Sequence, residues 1–276
     1  MAKRYYNLEK ETKAFLKRME ETRGVLPDGA GISRVNDYVV KKKGLGLFFS
    51  NRDKSSLRVI GSLQQSITVA SNASLLVTPS WEMVGWIYPT STNAVREHIG
   101  KASNNVGGYD FSLSTFGNGS VQLNYAGGQT STKTFTINTW QFYNFGRDGS
   151  TNNVFLSRNL DSPVTAAQVT QNSSNSAFMI GNWGTANNRP SDSIFDGVGR
   201  WSRLLTTDQR SFLYNTARGT SYLEILAYRP DILVGCVSYW QLNEPSGIRY
   251  DWHGTNHMSP INNPINSTNG LIEKFY

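Results

Sequence analysis

The sequence predicts a mainly β protein, a two-sheet antiparallel jelly-roll sandwich with a short N-terminal helical segment. From about residue 57 onward, short stretches alternate apolar and polar residues, as strands with one buried face do. Tight-turn dipeptides such as Asn118-Gly119 and Asp148-Gly149 separate these stretches. The composition agrees with many short strands, since only 17% of the 276 residues are charged and 25 are glycine.

Eight segments carry the strand pattern. In GYDFSLSTF, the odd-numbered residues 109 to 113 face one way and the even-numbered residues 110 to 114 face the other. Trp86, Trp140 and Trp201 lie in alternating strands and are predicted in the core. The predicted strands are SLQQSITVA, WEMVGWIYPT, GYDFSLSTF, SVQLNYAGG, TKTFTINTWQFYNFGRDGS, TNNVFLSRNL, AFMIGNW and IFDGVGRWSR.

Helical patterns occur at the N-terminus and once within the sandwich. Residues 7–22 repeat apolar side chains at helical spacing, and residues 33–44 follow with a serine at the cap position. Two helices this short need a partner surface, in this chain or in another protein. Within the sandwich, a single helix is predicted, because Thr206 and Gln209 form a capping-box pattern and Gly219 closes it.

The positive charge is concentrated in the N-terminal segment. The formal net charge is +7, and residues 1–54 hold 13 of the 27 Lys and Arg against 7 of the 20 Asp and Glu. Such a segment indicates contact with an acidic protein surface or nucleic acid, or a solvated charged face. No apolar signal core and no apolar run of about 20 residues is found, so membrane insertion is not expected.

Three stretches between residues 57 and 226 form an ordered set. These are WEMVGWIYPT, INTWQFYNFGRDGSTNNVFLSRN and DSIFDGVGRWSRLLTTDQRSFLYN. In that order they resemble the early core strand, the central tryptophan strand with its turn, and the last strand with its small helix of laminin-G-like modules. Those modules have a concanavalin A-like jelly-roll fold. The resemblance implies a sandwich domain over residues 51–230.

A further stretch, SYWQLNEPSGIRYDWHGTNHM, occupies residues 238–258. It resembles the segment that begins a laminin-G-like module, although it follows the complete set in this chain. Two interpretations are open for residues 231–276. They fold back as strands of the same, circularly permuted sandwich, or they complete the sandwich of a neighbouring subunit. Tyr239, Trp240 and Leu242 are too apolar for a solvated tail.

The N-terminal pattern NLEKETKAFLKRMEE and the later ISRVNDYVVKKKGLGLFF lie within residues 5–49. Together they resemble a helical segment of bacteriophage structural proteins. The resemblance implies a virion protein, made in the host cytoplasm, whose basic segment of residues 1–50 docks on capsid or tail proteins. It also implies that homo-oligomers display the sandwich as a capsid decoration, head-fibre or tail-associated module. Nucleic acid is not an expected partner.

The sequence does not predict an enzyme. A retaining glycoside hydrolase needs two carboxylates about 5 Å apart, and the Glu-x-Asp-x-x-Glu strand of concanavalin A-like hydrolases is absent from this sequence. Asp192 and Asp196 form the nearest acidic pair, and they match structural positions of the laminin-G-like pattern. Glycan hydrolysis is therefore the weakest of the functional hypotheses.

The stretch DWHGTNHM offers a candidate metal site at Asp251 and Asn256. It resembles a calcium loop of laminin-G-like modules, of the form Asp-x-x-Gly-x-x-His/Asn, with Trp252 in place of the usual small polar residue. The resemblance implies Ca²⁺ as the candidate ion, because Ca²⁺ prefers oxygen ligands. No other cofactor is expected.

The loop IGNWGTANNRPSD offers a candidate saccharide site. Sugar rings stack on exposed aromatic side chains, and polar loop residues bond the hydroxyls. The candidate residues are Trp183, Asn182, Asn187, Asn188 and Arg189. Alternatively, the tryptophan packs beneath its own loop. Two functional hypotheses therefore stand beside hydrolysis: a non-enzymatic virion structural protein, and a carbohydrate-binding adhesin that recognises host surface glycans.

Overall fold

The computed structural model describes residues 52–53, 55–91, 95–102, 109–125, 128–129, 133–168, 174–182, 189–272 and 274–275. Contacts divide the chain into two compact units, residues 1–52 with 274–276, and residues 53–273. The predicted helices at residues 7–22 and 33–44, and with them the docking segment of residues 1–50, lie outside the described residues. The second unit contains the two large sheets described below.

The first part of the described chain is made of short strands. A 3₁₀ turn, Gly61–Leu63, precedes β3, and another, Ala73–Leu75, follows it. The strands are β1 (Arg52–Asp53), β2 (Ser56–Val59), β3 (Ser66–Val69), β4 (Trp81–Pro89), β5 (Arg96–Ala102), β6 (Tyr109–Thr115), β7 (Ser120–Tyr125), β8 (Gly128–Gln129) and β9 (Lys133–Thr134).

The second part adds strands and two α-helices. The 3₁₀ turns Asn215–Ala217 and Pro230–Leu233 follow the first and second helix. The elements are β10 (Gln141–Asp148), β11 (Asn153–Arg158), β12 (Val164–Ala167), β13 (Phe178–Ile180), β14 (Ser193–Trp201), α1 (Thr207–Tyr214), α2 (Tyr222–Tyr228), β15 (Cys236–Trp240), β16 (Ser259–Ile261), β17 (Ile265–Ser267) and β18 (Lys274–Phe275).

Two antiparallel sheets form the sandwich, which confirms the predicted fold class. Sheet I has the order β12-β11-β10-β4-β14-β2-β17, and β15 also pairs with β14. Sheet II has the order β16-β3-β13-β5-β6-β7-β8, and β9 also pairs with β7. The short strands β1 and β18 lie outside both sheets.

Alternating side chains from the two sheets meet in the core. Phe111 and Leu113 of β6 are fully buried there, on the face that the sequence pattern predicts. Trp81 of sheet I contacts Phe111 of sheet II with ring centroids 4.6 Å apart. Such aromatic pairs add to the free energy gained by burying their apolar area.

The predicted burial of the strand tryptophans is correct for two of the three. Trp86 and Trp201 are buried, and Trp86 stacks on Tyr214 of α1 at 5.6 Å between ring centroids. The prediction for Trp140 is wrong, because this side chain is only partly buried. It immediately precedes β10, and its indole Nε1 donates a hydrogen bond to the Asn269 carbonyl at 3.2 Å.

Strand β5 and helix α2 are among the elements that lie outside the predicted segments. Strand β5, with the sequence REHIGKA, contains charged residues at positions that the sheet buries, and the Lys101 Nζ meets the Asp110 Oδ2 at 2.5 Å in a buried ion pair. Helix α2 contradicts the prediction of a single helix, and its signal was present, since Ser221 and Glu224 form a capping box. Helix α1 has the predicted box at Thr206 but ends before Gly219.

The C-terminal segment supplies strands to both sheets of its own chain. Strand β15 pairs with β14, β16 pairs with β3, and β17 pairs with β2, all antiparallel. Trp240 of β15 is fully buried in the core and stacks on Phe178 of sheet II, with centroids 5.2 Å apart and planes at 14°. Residues 236–267 therefore contribute strands beside β14, β3 and β2.

Candidate functional site

The predicted saccharide loop connects β13 to β14. Its central residues, Trp183, Asn187 and Asn188 among them, lie outside the described residues. We call residues 181–182 and 189–192 the loop stems. Of the predicted site residues in the stems, Asn182 is buried, whereas the side chain of Arg189 is 39% exposed. The structure thus fixes where the loop leaves and rejoins the sandwich.

Backbone hydrogen bonds hold the first stem against β5. Gly181 donates to the His98 carbonyl at 2.8 Å and accepts from the Ser191 N–H at 2.7 Å, which joins the two stems. Gly181 has a φ of +95°, and a Cβ at this position would lie 2.7 Å from Val59 Cγ2. Only glycine fits this close approach without strain.

The second stem is attached to β5 through Arg189 and Glu97. The Glu97 N–H donates to the Arg189 carbonyl at 3.0 Å, and the Arg189 Nη1 lies 3.5 Å from Glu97 Oε1. Glu97 is buried, and its other carboxylate oxygen accepts a short hydrogen bond from the Ser114 hydroxyl. Burial raises the pKa of Glu97, while the Ser114 hydrogen bond and the Arg189 charge oppose that shift. The guanidinium is therefore presented at the surface beside a buried carboxyl.

A buried histidine connects the second stem to sheet II. His98 Nδ1 bonds the Ser191 hydroxyl at 2.8 Å, and Nε2 bonds the Thr115 hydroxyl at 3.0 Å. Ser191 in turn donates to the Ser193 hydroxyl at 2.7 Å. Burial lowers the pKa of His98 to about 3, with a smaller effect from Arg96, so the imidazole is neutral at pH 7. His98 thus positions the stem as a neutral hydrogen-bonding group.

The acidic pair Asp192 and Asp196 binds backbone groups. Asp192 Oδ1 accepts the Gly61 N–H at 2.6 Å. Asp196 is fully buried, and its Oδ2 accepts the N–H groups of Leu271 and Ile272 at 3.0 and 3.1 Å. These carboxylates hold separate chain segments in place, which is the structural role that the sequence pattern predicts for them.

The candidate calcium ligand Asp251 organises its own loop. Its Oδ1 accepts the backbone N–H groups of Tyr239, His253 and Gly254 at 3.0, 3.0 and 2.9 Å. Its Oδ2 accepts the Asn256 N–H at 3.0 Å. Four donors thus direct positive partial charge at the oxygens that a cation would need.

The amide of Asn256 is similarly engaged. Its Nδ2 donates to the hydroxyls of Ser74 and Ser238 at 3.0 and 2.7 Å, and its Oδ1 accepts from Asn72 Nδ2 at 2.7 Å. No group of three or more His, Cys, Asp or Glu that suits a metal ion occurs in the described part of the chain. The side-chain oxygens of Asp251 and Asn256 that a Ca²⁺ ion would contact thus accept hydrogen bonds within the protein, and the Ca²⁺ site remains a prediction from sequence resemblance.

Sequence reasoning missed the residues that anchor the loop. Glu97 and His98 belong to β5, whose charged sequence does not alternate in the way of a half-buried strand. The only available signal was that ionisable residues flank Ile99 in an otherwise strand-like stretch. Their connection to the loop depends on pairing with a segment about 90 positions away, as in the Ser191–His98 bond, and the local pattern does not contain this information.

Neither a protein-family model nor a curated protein sequence matches the chain. Solved structures do match it. A protein from Bacteroides ovatus ATCC 8483, described as a "putative carbohydrate binding protein", has a TM-score of 0.56 at 16% sequence identity, over 82% of this chain and 60% of that chain. The chain has a jelly-roll sandwich fold.

Two further matches are weaker. The binding domain of botulinum neurotoxin serotype G has a TM-score of 0.44 at 14% identity, over 55% of this chain and 40% of that chain. The heptameric SAP-like pentraxin from Limulus polyphemus has a TM-score of 0.40 at 14% identity, over 54% and 81% of the two chains. The match of this chain covers 60% of the length of the Bacteroides protein, and identities this low show the fold alone.

No helix among the described residues has the length and apolar character needed to cross a membrane.

Proposed function

We propose that the jelly-roll sandwich is a non-enzymatic saccharide-binding module that uses the loop between the two stems. The observation that carries this proposal is the anchoring of both stems by buried hydrogen bonds through His98, Glu97 and Ser191. A loop held at both ends loses less conformational entropy when it binds a ligand. In these anchoring contacts His98 is neutral, and the carboxylate of Glu97 is paired with the guanidinium of Arg189. The contacts therefore add little net charge to the site.

The chemistry beside the loop suits hydroxyl-rich ligands. Arg189 exposes part of its guanidinium, whose planar N–H groups bond paired oxygens. The loop sequence adds Trp183 and two asparagines, the residue types that stack on sugar faces and bond sugar hydroxyls. The fold similarity to a protein described as carbohydrate-binding supports the same class of ligand.

The proposal of binding without hydrolysis rests on the acidic residues. The carboxylates of Asp192 and Asp196 accept hydrogen bonds from backbone N–H groups of distant segments. Glu97 is buried beneath Arg189 and bonded to Ser114, so it is not presented to a ligand. A glycosidase needs two carboxyl groups facing a common substrate, and these three are engaged elsewhere.

The virion role remains a prediction from sequence resemblance. It depends on residues 1–50, which lie outside the described residues. Deletion of residues 1–50 is expected to abolish binding to a phage particle while the sandwich stays folded. Binding to the particles is measured by cosedimentation. If the shortened chain still cosediments with them, residues 1–50 are not the docking segment.

A glycan array tests the binding proposal. Fluorescently labelled protein is expected to be retained on a restricted set of bacterial surface glycans, and the variants Trp183→Ala and Arg189→Gln are expected to lose about tenfold or more in affinity. Tyr228→Ala and Arg218→Ala serve as matched controls, since both residues are exposed outside the loop. Equal retention of all four variants, or no retention of the unmodified protein, contradicts the proposal.

The same glycans test the absence of catalysis. Incubation with the protein is expected to release no reducing sugar above the buffer control. If the protein does release reducing sugar, and Asp192→Asn or Glu97→Gln abolishes that release, the protein is a hydrolase.

A further inference from the structure

Two aromatic side chains meet at the surface of sheet I, away from the loop stems. Tyr88, near the end of β4, and Trp140, just before β10, are both partly exposed. Their ring centroids are 5.5 Å apart and their planes meet at 60°. The pairing of Gln141 with Ile87 places Trp140 beside Tyr88 on neighbouring strands. The two rings therefore form an aromatic corner, a name used here for this pair.

The aromatic corner lies on the outer face of the sandwich. Along β4, Tyr88 follows Trp86 by two residues, so both side chains project from the same side of the strand. Trp86 packs on Phe142 and on Tyr214 of α1, at 5.2 and 5.6 Å between centroids, outside the core between the sheets. Helix α1 covers that first group of rings, whereas Tyr88 and Trp140 stay partly accessible.

The orientation of Trp140 is fixed before any ligand arrives. Its Nε1 donates to the Asn269 carbonyl at 3.2 Å, which attaches the ring edge to the C-terminal segment. The turn that carries it is held by Asn138, whose N–H donates to the Pro89 carbonyl at 2.8 Å and whose φ is +56°. A preoriented ring has little rotational freedom left to lose when a ligand stacks on it.

Neutral polar groups border the aromatic corner. Asn138 and Thr139 precede Trp140, Thr268 and Asn269 lie at its hydrogen-bonded edge, and all four are exposed. The partly exposed Tyr88 side chain adds a hydroxyl group beside the Trp140 ring. These amides and hydroxyls bond sugar hydroxyls, and they provide no positive charge for a phosphate-bearing ligand.

We propose that the aromatic corner is a second saccharide site, which binds one pyranose ring of a neutral oligosaccharide. The C–H face of a pyranose packs on one aromatic face while the other ring forms a side wall. The bordering amides and the Tyr88 hydroxyl bond the equatorial hydroxyl groups. The aromatic corner and the loop are proposed to bind the same class of ligand, but they consist of different residues. Binding at one of them can therefore be tested independently of binding at the other.

The experiment uses the full chain labelled with ¹⁵N at tryptophan. The Trp140 indole resonance is assigned by its loss in Trp140→Phe, and cellotetraose, chitotetraose, maltotetraose and mannotetraose are titrated to about 10 mM. At least one tetrasaccharide is expected to shift the Trp140 resonance in a saturable manner. Trp140→Ala is expected to weaken that binding about tenfold, and Tyr88→Leu several-fold. Trp252→Ala, which removes another partly buried tryptophan, is the matched control and is expected to bind normally.

The outcomes separate the two sites. A saturable Trp140 shift that persists in Trp183→Ala supports the aromatic corner even if the loop does not bind. Binding that shifts other indole resonances, leaves Trp140 unmoved and disappears in Trp183→Ala supports the loop and overturns this inference. The absence of any Trp140 shift with all four tetrasaccharides also overturns it. The resonance is read in the unmodified protein, so the test does not depend on Trp140→Ala folding.

Discussion

At the scale of single residues, buried polar side chains determine where the candidate loop can begin and end. His98 is the clearest case, because it bonds a stem serine on one side and a sheet threonine on the other. Both bonds satisfy the neutral imidazole. A protonated ring would carry a buried positive charge close to Arg96, whose charge already contributes to the lowered pKa.

The pKa of His98 predicts an acid-sensitive contribution to stability. Burial lowers this pKa from 6.5 to about 3, so the unfolded chain binds more protons than the folded chain between these pH values. The stability that depends on His98 is therefore complete above pH 6.5 and is lost as the pH falls toward 3. The slope approaches about 1.4 kcal/mol per pH unit. Urea unfolding of the unmodified protein and His98→Gln, measured between neutral pH and about pH 4, checks this expectation.

Comparison with the variant isolates His98 from other titrating groups. Burial raises the pKa of Glu82 and Glu97, so these carboxyls act in the opposite direction: their contribution is present at low pH and is lost as the pH rises. Both groups are common to the two proteins. The free-energy advantage of the unmodified protein over His98→Gln is expected to shrink on acidification, and an advantage independent of pH would contradict the assignment.

At the scale of elements, the strands with one clearly apolar face were predictable from sequence. β4, β6, β7, β10, β11 and β13 fall within predicted segments, and β14 begins one residue before its segment, because alternation of apolar and polar residues indicates burial of one face. Strand β5 was not predictable in this way. Its buried charged residues Glu97 and Lys101 form ion pairs with Arg189 and Asp110, which belong to other segments. Burial of a charge depends on such partners, and a local pattern cannot reveal them.

The same limit applies to the candidate sites. The composition of the loop between β13 and β14 predicts a sugar contact, but no local sequence pattern identifies the residues of β5 that anchor this loop. The alternating stretch that contains Trp140 predicts a core side chain at this position. Its partial exposure follows from its position just outside that strand, where the turn and Asn269 hold the ring. Side chains at strand ends are thus the least predictable from alternation.

An ion pair between the partly exposed Arg210 and the buried carboxylate of Glu82 attaches α1 to sheet I and gives a prediction at this scale. Glu82 of β4 accepts hydrogen bonds from the Arg210 Nε and Nη2 at 2.7 and 2.8 Å, and from the Leu205 N–H at 2.8 Å. Arg210→Ala leaves the buried carboxylate without its cation and is expected to lower the free energy of unfolding by about 3 kcal/mol. Chemical denaturation checks this value.

Two further variants test the cause of that loss. Adding Glu82→Gln to Arg210→Ala removes the unpaired charge, so the double variant is expected to regain part of the stability. Arg218→Ala, at an exposed arginine that follows the same helix, is expected to change stability by less than about 0.5 kcal/mol. A double variant no more stable than Arg210→Ala would show that lost packing, not the buried charge, dominates.

At the scale of the whole molecule, the C-terminal strands close both sheets within one chain. Strands β15, β16 and β17 pair with β14, β3 and β2. The permuted interpretation of residues 231–276 expects these pairings, and the permutation itself remains a prediction from sequence resemblance. Exchange between subunits is not needed to complete the sandwich. Homo-oligomer formation remains a prediction.

Truncation and dilution test this arrangement together. A chain that ends at residue 230 lacks β15, β16 and β17 of the two large sheets and the buried Trp240, so it is expected to be unfolded. Any oligomer of the full chain is expected to dissociate on dilution into folded monomers. Sedimentation velocity combined with near-ultraviolet circular dichroism measures both properties. Loss of tertiary signal at the dilution where the oligomer dissociates would indicate exchanged strands instead.

The closing of the sandwich by its last strands also sets the timing of folding during synthesis. The Ser55 hydroxyl bonds the Asn243 carbonyl and the Ser56 N–H bonds the Asn266 side chain, across 188 and 210 positions of sequence. At synthesis rates of about 5–20 residues per second, β2 and β3 wait on the order of ten seconds or longer for these partners. Contacts so distant in sequence also make folding slow. The nascent chain is therefore expected to need protection from aggregation until its final segment leaves the ribosome.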